Sequence, residues 1–189
     1  MTNKINSREK ILTTASKLFQ LKGYNATGLN EILKESDSPK GSLYYYFPNG
    51  KEELAVEAIK LASEAIEKGI RNALGKYSDP VKAIQYNITN IIKELNSEGK
   101  LQDISISLLS LETYLLSEQL REACKKAIVV MENVYAEKLI KSGFNKEKAE
   151  ELSIVITLMI EGAITVSVTK RDVSALLVVS KQIEVLLSN

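Results

Sequence analysis

The 189-residue sequence has no histidine and no tryptophan, one cysteine and only three prolines. Without histidine there is no Ser/His/Asp or Cys/His nucleophilic machinery, no histidine-type zinc ligation and no side chain that ordinarily serves as a base near neutral pH. Paired-carboxylate and metal-ligand spacings are also missing, so no catalytic residue, metal or cofactor is expected. The lone Cys124 cannot close an intramolecular disulfide, and the polar start Thr2-Asn3-Lys4 is unlike a signal peptide. Both features point to a reducing cytoplasm. The most apolar stretch, Leu152 to Val168, contains Glu161 and several hydroxyl residues. It is too short and too polar for a membrane span, which needs about 20 apolar residues, so no membrane partner is expected.

What is present describes a folded helical protein. Hydrophobic residues make up 44% of the chain and charged residues 26%, enough apolar material for a sizeable core. The net charge of +1 hides an asymmetry: residues 1–51 carry eight basic and four acidic side chains, and residues 52–189 carry 17 and 20. A basic head on a mildly acidic body suits a protein whose head alone approaches a polyanion. No segment alternates with period two between hairpin turns, so the fold class is all-α.

Asn6, with Glu9 three residues later, caps a first helix that places Ile11, Leu12, Ala15, Leu18 and Phe19 on one face and ends at Gly23. Thr27 caps a short second helix containing Leu29, Ile32 and Leu33. Residues 35–38 form a polar turn, and Pro39 takes the first position of a third helix that runs to about Tyr46. Asn49 with Glu52 caps a long amphipathic helix from Lys51 to about Leu74, which joins head to body without a flexible linker. Asp79-Pro80 opens the next helix, closed by residues 96–99. Further helices are expected near 103–116, 118–142, 146–169 and 173–187. The expected domains are therefore 1–50 and 51–189.

The string Pro39-Lys40-Gly41-Ser42-Leu43-Tyr44-Tyr45-Tyr46-Phe47 carries the functional signal. Leu43 and Phe47, four apart, share an inward face toward Ile32 and Phe19, while Lys40, Gly41, Tyr44 and Tyr45 point away. Two short helices joined by a polar turn, the second with an exposed Lys, Ser and Tyr surface, describe a helix-turn-helix whose second helix reads a major groove. Lysine and tyrosine hydroxyls suit phosphates, and Ser38 or Tyr45 suits base edges. Three consecutive tyrosines on one short helix would expose costly apolar surface without a partner, although Tyr46 lies beside the inward face and equally suits packing.

The pattern Arg8-Glu9-Lys10-Ile11-Leu12, Ala15, Leu18-Phe19, Gly23-Tyr24, Thr27, Glu31-Ile32, Lys40 to Phe47 and Lys51-Glu52-Glu53-Leu54 resembles the TetR family of bacterial transcriptional repressors. In the body, Leu120-Arg121-Glu122-Ala123-Cys124, Glu161-Gly162-Ala163 and Arg171-Asp172 look like the branch that includes the LmrA and YxaF regulators. The resemblance implies a homodimer, a three-helix head that binds double-stranded operator DNA, and a helical body that binds a small-molecule effector and dimerises. It gives DNA-contact positions to Thr27, Ser38, Pro39, Lys40, Gly41, Ser42, Tyr44, Tyr45 and Lys51. Two departures stand out: Pro39 replaces commoner small or polar residues and removes a backbone donor, and many members have one residue fewer between the Phe and the Lys.

In the body, residues 152–168 are apolar nearly all round, as expected of a helix buried on both sides. Gly162, Ala163 and Ser167 would allow close helix approach and, with the helix at 173–187, a four-helix dimer interface; a monomer core is the other reading of the same pattern. Glu112, Tyr114, Tyr135 and Glu161 interrupt apolar surroundings and are the candidate effector-binding groups, since buried polar atoms need partners. Two other function classes remain: an all-helical enzyme using Glu112 or Glu161, and a helical module whose head binds protein.

Overall fold

The computed structural model of the chain describes residues 7–98 and 106–188, and among these every regular element is a helix. In chain order they are α1 (Ser7–Ala26), α2 (Leu29–Glu35), α3 (Lys40–Tyr46), α4 (Lys51–Leu74), α5 (Pro80–Glu98), α6 (Ile106–Thr113), α7 (Glu118–Lys141), α8 (Lys146–Lys170) and α9 (Ser174–Leu187). They fall into two compact units. The first takes Met1–Glu64 with Gln102–Ala127, and the second takes Ala65–Leu101 with Ile128–Asn189. Helices α4 and α7 each contribute to both.

In the first unit, Ile11, Ala15, Leu18 and Phe19 of α1 are buried together with Ile32, Leu33, Leu43, Phe47, Leu54 and Ala58. Helix α6 packs along α1. The expected cap at Asn6 lies outside the described residues. Gly23 breaks α1 at the point where the sequence placed its end. It kinks the helix at φ 81°, ψ 171°, a conformation open essentially to glycine, and one more turn follows to Ala26. Thr27 is not the cap of α2. Gly28 holds that position without a side-chain bond, because the Thr27 hydroxyl is drawn back toward α1.

At the start of α4, the Asn49 N–H donates to Glu53 Oε2 at 2.9 Å, so the capping carboxylate is Glu53 rather than the expected Glu52. Buried positions on α4 recur at Leu54, Ala55, Ala58, Ile59, Ala62, Ile70 and Ala73, the stripe that the 3.6-residue period dictates.

In the second unit, Asp79 Oδ1 accepts the Val81 N–H at 2.9 Å to open α5, which runs to Glu98, within the expected closing segment 96–99. Helix α9 packs on both α5 and α8, and Gln85 Nε2 donates to the Ser180 carbonyl at 3.0 Å. Arg71 forks onto Glu137 at 2.7 and 3.2 Å while its Nε reaches Glu67 at 2.8 Å. Helix α8 begins on the Asn145 side chain and ends at left-handed Arg171.

Within this single chain α8 is buried along one side. Leu152, Ile156, Ile160, Ala163 and Ile164 are buried, but Ile154, Val155, Leu158, Val166 and Val168 on the other side are exposed within this chain. By length and composition α8 is also long and apolar enough to cross a membrane, although it packs on α9 as a core helix does.

Candidate nucleic-acid interface

Helix α2 ends in a sharp polar turn that aims α3. Asp37 takes the left-handed conformation at φ 48°, the Ser38 N–H returns to the Leu33 carbonyl at 3.0 Å, and the Asp37 N–H returns to Lys34 at 3.3 Å. This is a Schellman ending with aspartate where glycine is usual, and short polar side chains tolerate that backbone better than other non-glycine residues. Ser36 is buried in the turn with its hydroxyl on the Leu33 carbonyl. The Ser38 hydroxyl is half-buried and donates to the Ser36 carbonyl at 3.2 Å. Pro39 then serves as the N-cap of α3 in an extended conformation, one position earlier than the sequence suggested.

Leu43 and Phe47 are fully buried, which fastens one face of α3 to the core. The Arg8 guanidinium sits 5.4 Å above the Phe47 ring and pairs with Glu57, so α1, α3 and α4 are tied at one point. Outward stand Pro39, Lys40, Gly41, Tyr44 and Tyr45, with Tyr45 the most open at 80% exposure and Tyr44 at 47%. Ser42 and Tyr46 are half-buried, and the Tyr46 ring meets Tyr45 edge-on at 4.9 Å. The helix and its cap thus present a neutral-to-positive surface whose one charged group is Lys40.

Thr27 and Lys51 stand apart from that surface. Thr27 is fully buried, and its hydroxyl lies 2.8 Å from the Gly23 carbonyl oxygen and 3.2 Å from that of Leu18. That hydroxyl braces the α1–α2 corner. Lys51 is half-buried, with its ammonium 4.3 Å over the Tyr24 ring. Burial pulls its pKa below the ordinary lysine value, and the Glu112 carboxylate acts in the opposite direction.

The four candidate effector groups separate into pairs. Glu112 and Tyr114 belong to the first unit, where Glu112 engages α1 and Tyr114 is exposed. Tyr135 and Glu161 belong to the second. Tyr135 is buried with its hydroxyl 2.9 Å from Asn87 Nδ2, and its pKa rises well above the usual range through burial first and the charge of Glu161 second. Asn87 is not conspicuous in the sequence, because a lone asparagine on an amphipathic helix resembles a surface residue; its place among Ala83, Ile84 and Ile88 is the available signal. No group of three or more metal-ligating side chains occurs among the described residues.

A family model described as bacterial regulatory proteins, tetR family, matches residues 11–58. A second, described as transcriptional regulator LmrA/YxaF-like, C-terminal domain, matches residues 80–182. The uncharacterized HTH-type transcriptional regulator YxaF of Bacillus subtilis is 48% identical over 98% of this chain and 97% of its own length. The HTH-type transcriptional regulator LmrA of the same organism is 44% identical over 96% and 97%. Among solved structures, reduced Escherichia coli NemR shares the fold with a TM-score of 0.85 at 23% identity, over 94% of this chain and 95% of that one.

Proposed function

The chain belongs to the TetR family of bacterial regulatory proteins, in its LmrA/YxaF-like branch, and from that premise we propose that it is a cytoplasmic, homodimeric repressor released from its operator by a small-molecule effector. It is a helix-turn-helix transcriptional regulator and not an enzyme. The observation that carries the operator reading is the outward row of Lys40, Tyr44 and Tyr45 on a helix whose opposite face is locked by Leu43 and Phe47.

In this reading residues 1–50 form the DNA-binding head and residues 51–189 the effector-binding and dimerisation body. Lys40 and Tyr44 hold phosphates, while Tyr45, with Ser38, Gly41 and Ser42 around it, meets base edges. Pro39 contacts the backbone through its ring alone. Tyr46 supports Tyr45, Lys51 serves phosphate only at the edge of the site, and Thr27 acts through the corner that it braces.

The dimer reading is supported by the exposed apolar faces of α8 and α9. Between them runs a groove of about 450 Å³ lined by Leu158, Gly162, Ala163, Val166, Val178 and Val179. A second copy of the same pair would complete a four-helix interface and remove this surface from water. The effector is assigned to the second unit, near Asn87, Tyr135 and Glu161, because a buried phenol beside a carboxylate offers both a donor and an acceptor. For the effector to release DNA it must bind the DNA-incompetent state more tightly, and couplings of about 1–3 kcal/mol are typical. Helix α4, shared by both compact units, carries the change.

A salt-dependent gel shift on the DNA upstream of the protein's own coding sequence tests the reading. Tight, sequence-selective binding that weakens steeply with salt is expected. Binding that ignores either sequence or salt would refute it.

A further inference from the structure

The corner between α6 and α7 grips the first unit at two places, on α1 and on the start of α4. At one, the Glu112 carboxylate lies directly against Gly23, where a β-carbon would collide with both of its oxygens, and Glu112 Oε2 accepts the Asn25 N–H at 3.2 Å. The kink at Gly23 interrupts the helical ladder, and a helix restarted after a break begins with N–H groups that lack a partner in their own helix. The carboxylate takes one of them. At the other place, the Ser117 hydroxyl donates to Glu52 in the first turn of α4 and also accepts the Leu120 N–H at 3.2 Å, so it caps α7 as it holds α4. Tyr24 and Lys51, stacked on each other, lie beside these two anchors in sequence.

We propose that Glu112 and Ser117 are positioning residues for operator binding, clamping the end of α1 and the start of α4 so that α3 stands at the angle DNA requires. Helix α3 has seven residues and no side-chain cap, so its direction is inherited from its flanks. The α1 end sets the corner that leads into α2, and the α4 start receives the chain as it leaves Phe47. A shift at either anchor therefore moves Tyr44 and Tyr45 without touching them. Glu112 thereby leaves the set of effector candidates, and the field that it exerts on Lys51 is part of the same device. The inference rests on the regulator reading above.

The test compares Glu112→Gln with Glu112→Ala in the full-length protein. Both variants remove the same negative charge, so its effect on Lys51 and on phosphates changes alike; only the glutamine keeps an oxygen for the Asn25 N–H. Operator binding by Glu112→Ala is expected to be about 5-fold weaker than by Glu112→Gln, at equal salt slopes because no phosphate contact is lost. Equal affinities overturn the Glu112 assignment. Ser117→Ala should weaken binding about 3-fold at an unchanged salt slope, and an unchanged affinity removes Ser117 from the clamp.

A readout on the DNA-free wild-type protein covers a variant that fails to fold: the Asn25 amide should exchange about 5-fold slower than in an open turn, and exchange at the open-turn rate overturns the clamp. A protected Asn25 in a protein that binds no DNA instead overturns the regulator reading, and with it the clamp's part in DNA binding.

Discussion

Tyr44 and Tyr45 on α3 and Leu158 and Val178 on α8 and α9 are all exposed, yet the two surfaces ask for different partners. The aromatic rings of α3 end in hydroxyls and stand beside Lys40, so they can lie against apolar edges and still hydrogen-bond a polyanion. The α8–α9 face is aliphatic, with Leu158 exposed to 66% and Val178 to 58%, and gains chiefly by excluding water. On the proposed reading one surface is salt-sensitive and sequence-reading, and the other is salt-tolerant and self-complementary. Gly162 and Ala163 line the groove in the second.

The sharpest way to break this contrast is a charge on the aliphatic face. Leu158→Glu should leave the monomer folded, because the side chain is exposed there, but an unpaired buried charge in the dimer costs on the order of 3 kcal/mol or more. Sedimentation should show monomers at micromolar concentration, with operator binding lost. A stable Leu158→Glu dimer would remove this face as the interface.

Lys40→Ala and Tyr44→Ala should each weaken operator binding by about 1–2 kcal/mol across all sequences. The lysine change alone should lower the salt slope by about one unit, read from titrations at several salt concentrations. Tyr45→Ala should instead redistribute preference among operator variants, by about 1 kcal/mol at one base pair, with little change on nonspecific DNA. Equal loss on every sequence would move Tyr45 to the phosphate-binding group.

The smallest expected effect lies within the body, at the Arg71–Glu137 fork. The arginine holds the Glu137 carboxyl below its ordinary 4.5, so the pair's contribution is present above that pH and fades as pH falls through the depressed value. Both partners are largely exposed, and Glu137→Gln should cost about 0.5 kcal/mol at neutral pH and nothing in strong acid. Thermal melts between pH 7 and roughly pH 3 would show it.

Much of the architecture is legible in the amino-acid pattern. Apolar spacing places α4, α7, α8 and α9 to within a residue or so, because a buried stripe must recur with the helical period. Asp79-Pro80 marks the start of α5 through local chemistry alone. The same helical geometry sends Leu43 and Phe47 inward and Tyr44 and Tyr45 outward. Where local pattern misleads, the cause is shared. Thr27 resembles a free capping hydroxyl and Asn87 a surface residue when each is judged by its neighbours in sequence, whereas the partner of each comes from another turn or another helix.

The sequence by itself determined the helical class, the order and length of most helices, the polar turn before α3 and the family, since all of these follow from periodicity, capping chemistry and a specific motif. Only the tertiary structure decided that Thr27 faces inward, that Glu53 and not Glu52 caps α4, that Asn87 meets Tyr135, and that α8 leaves one apolar side uncovered. Those facts depend on which side chains meet across the fold, and distance in space is not encoded in local pattern.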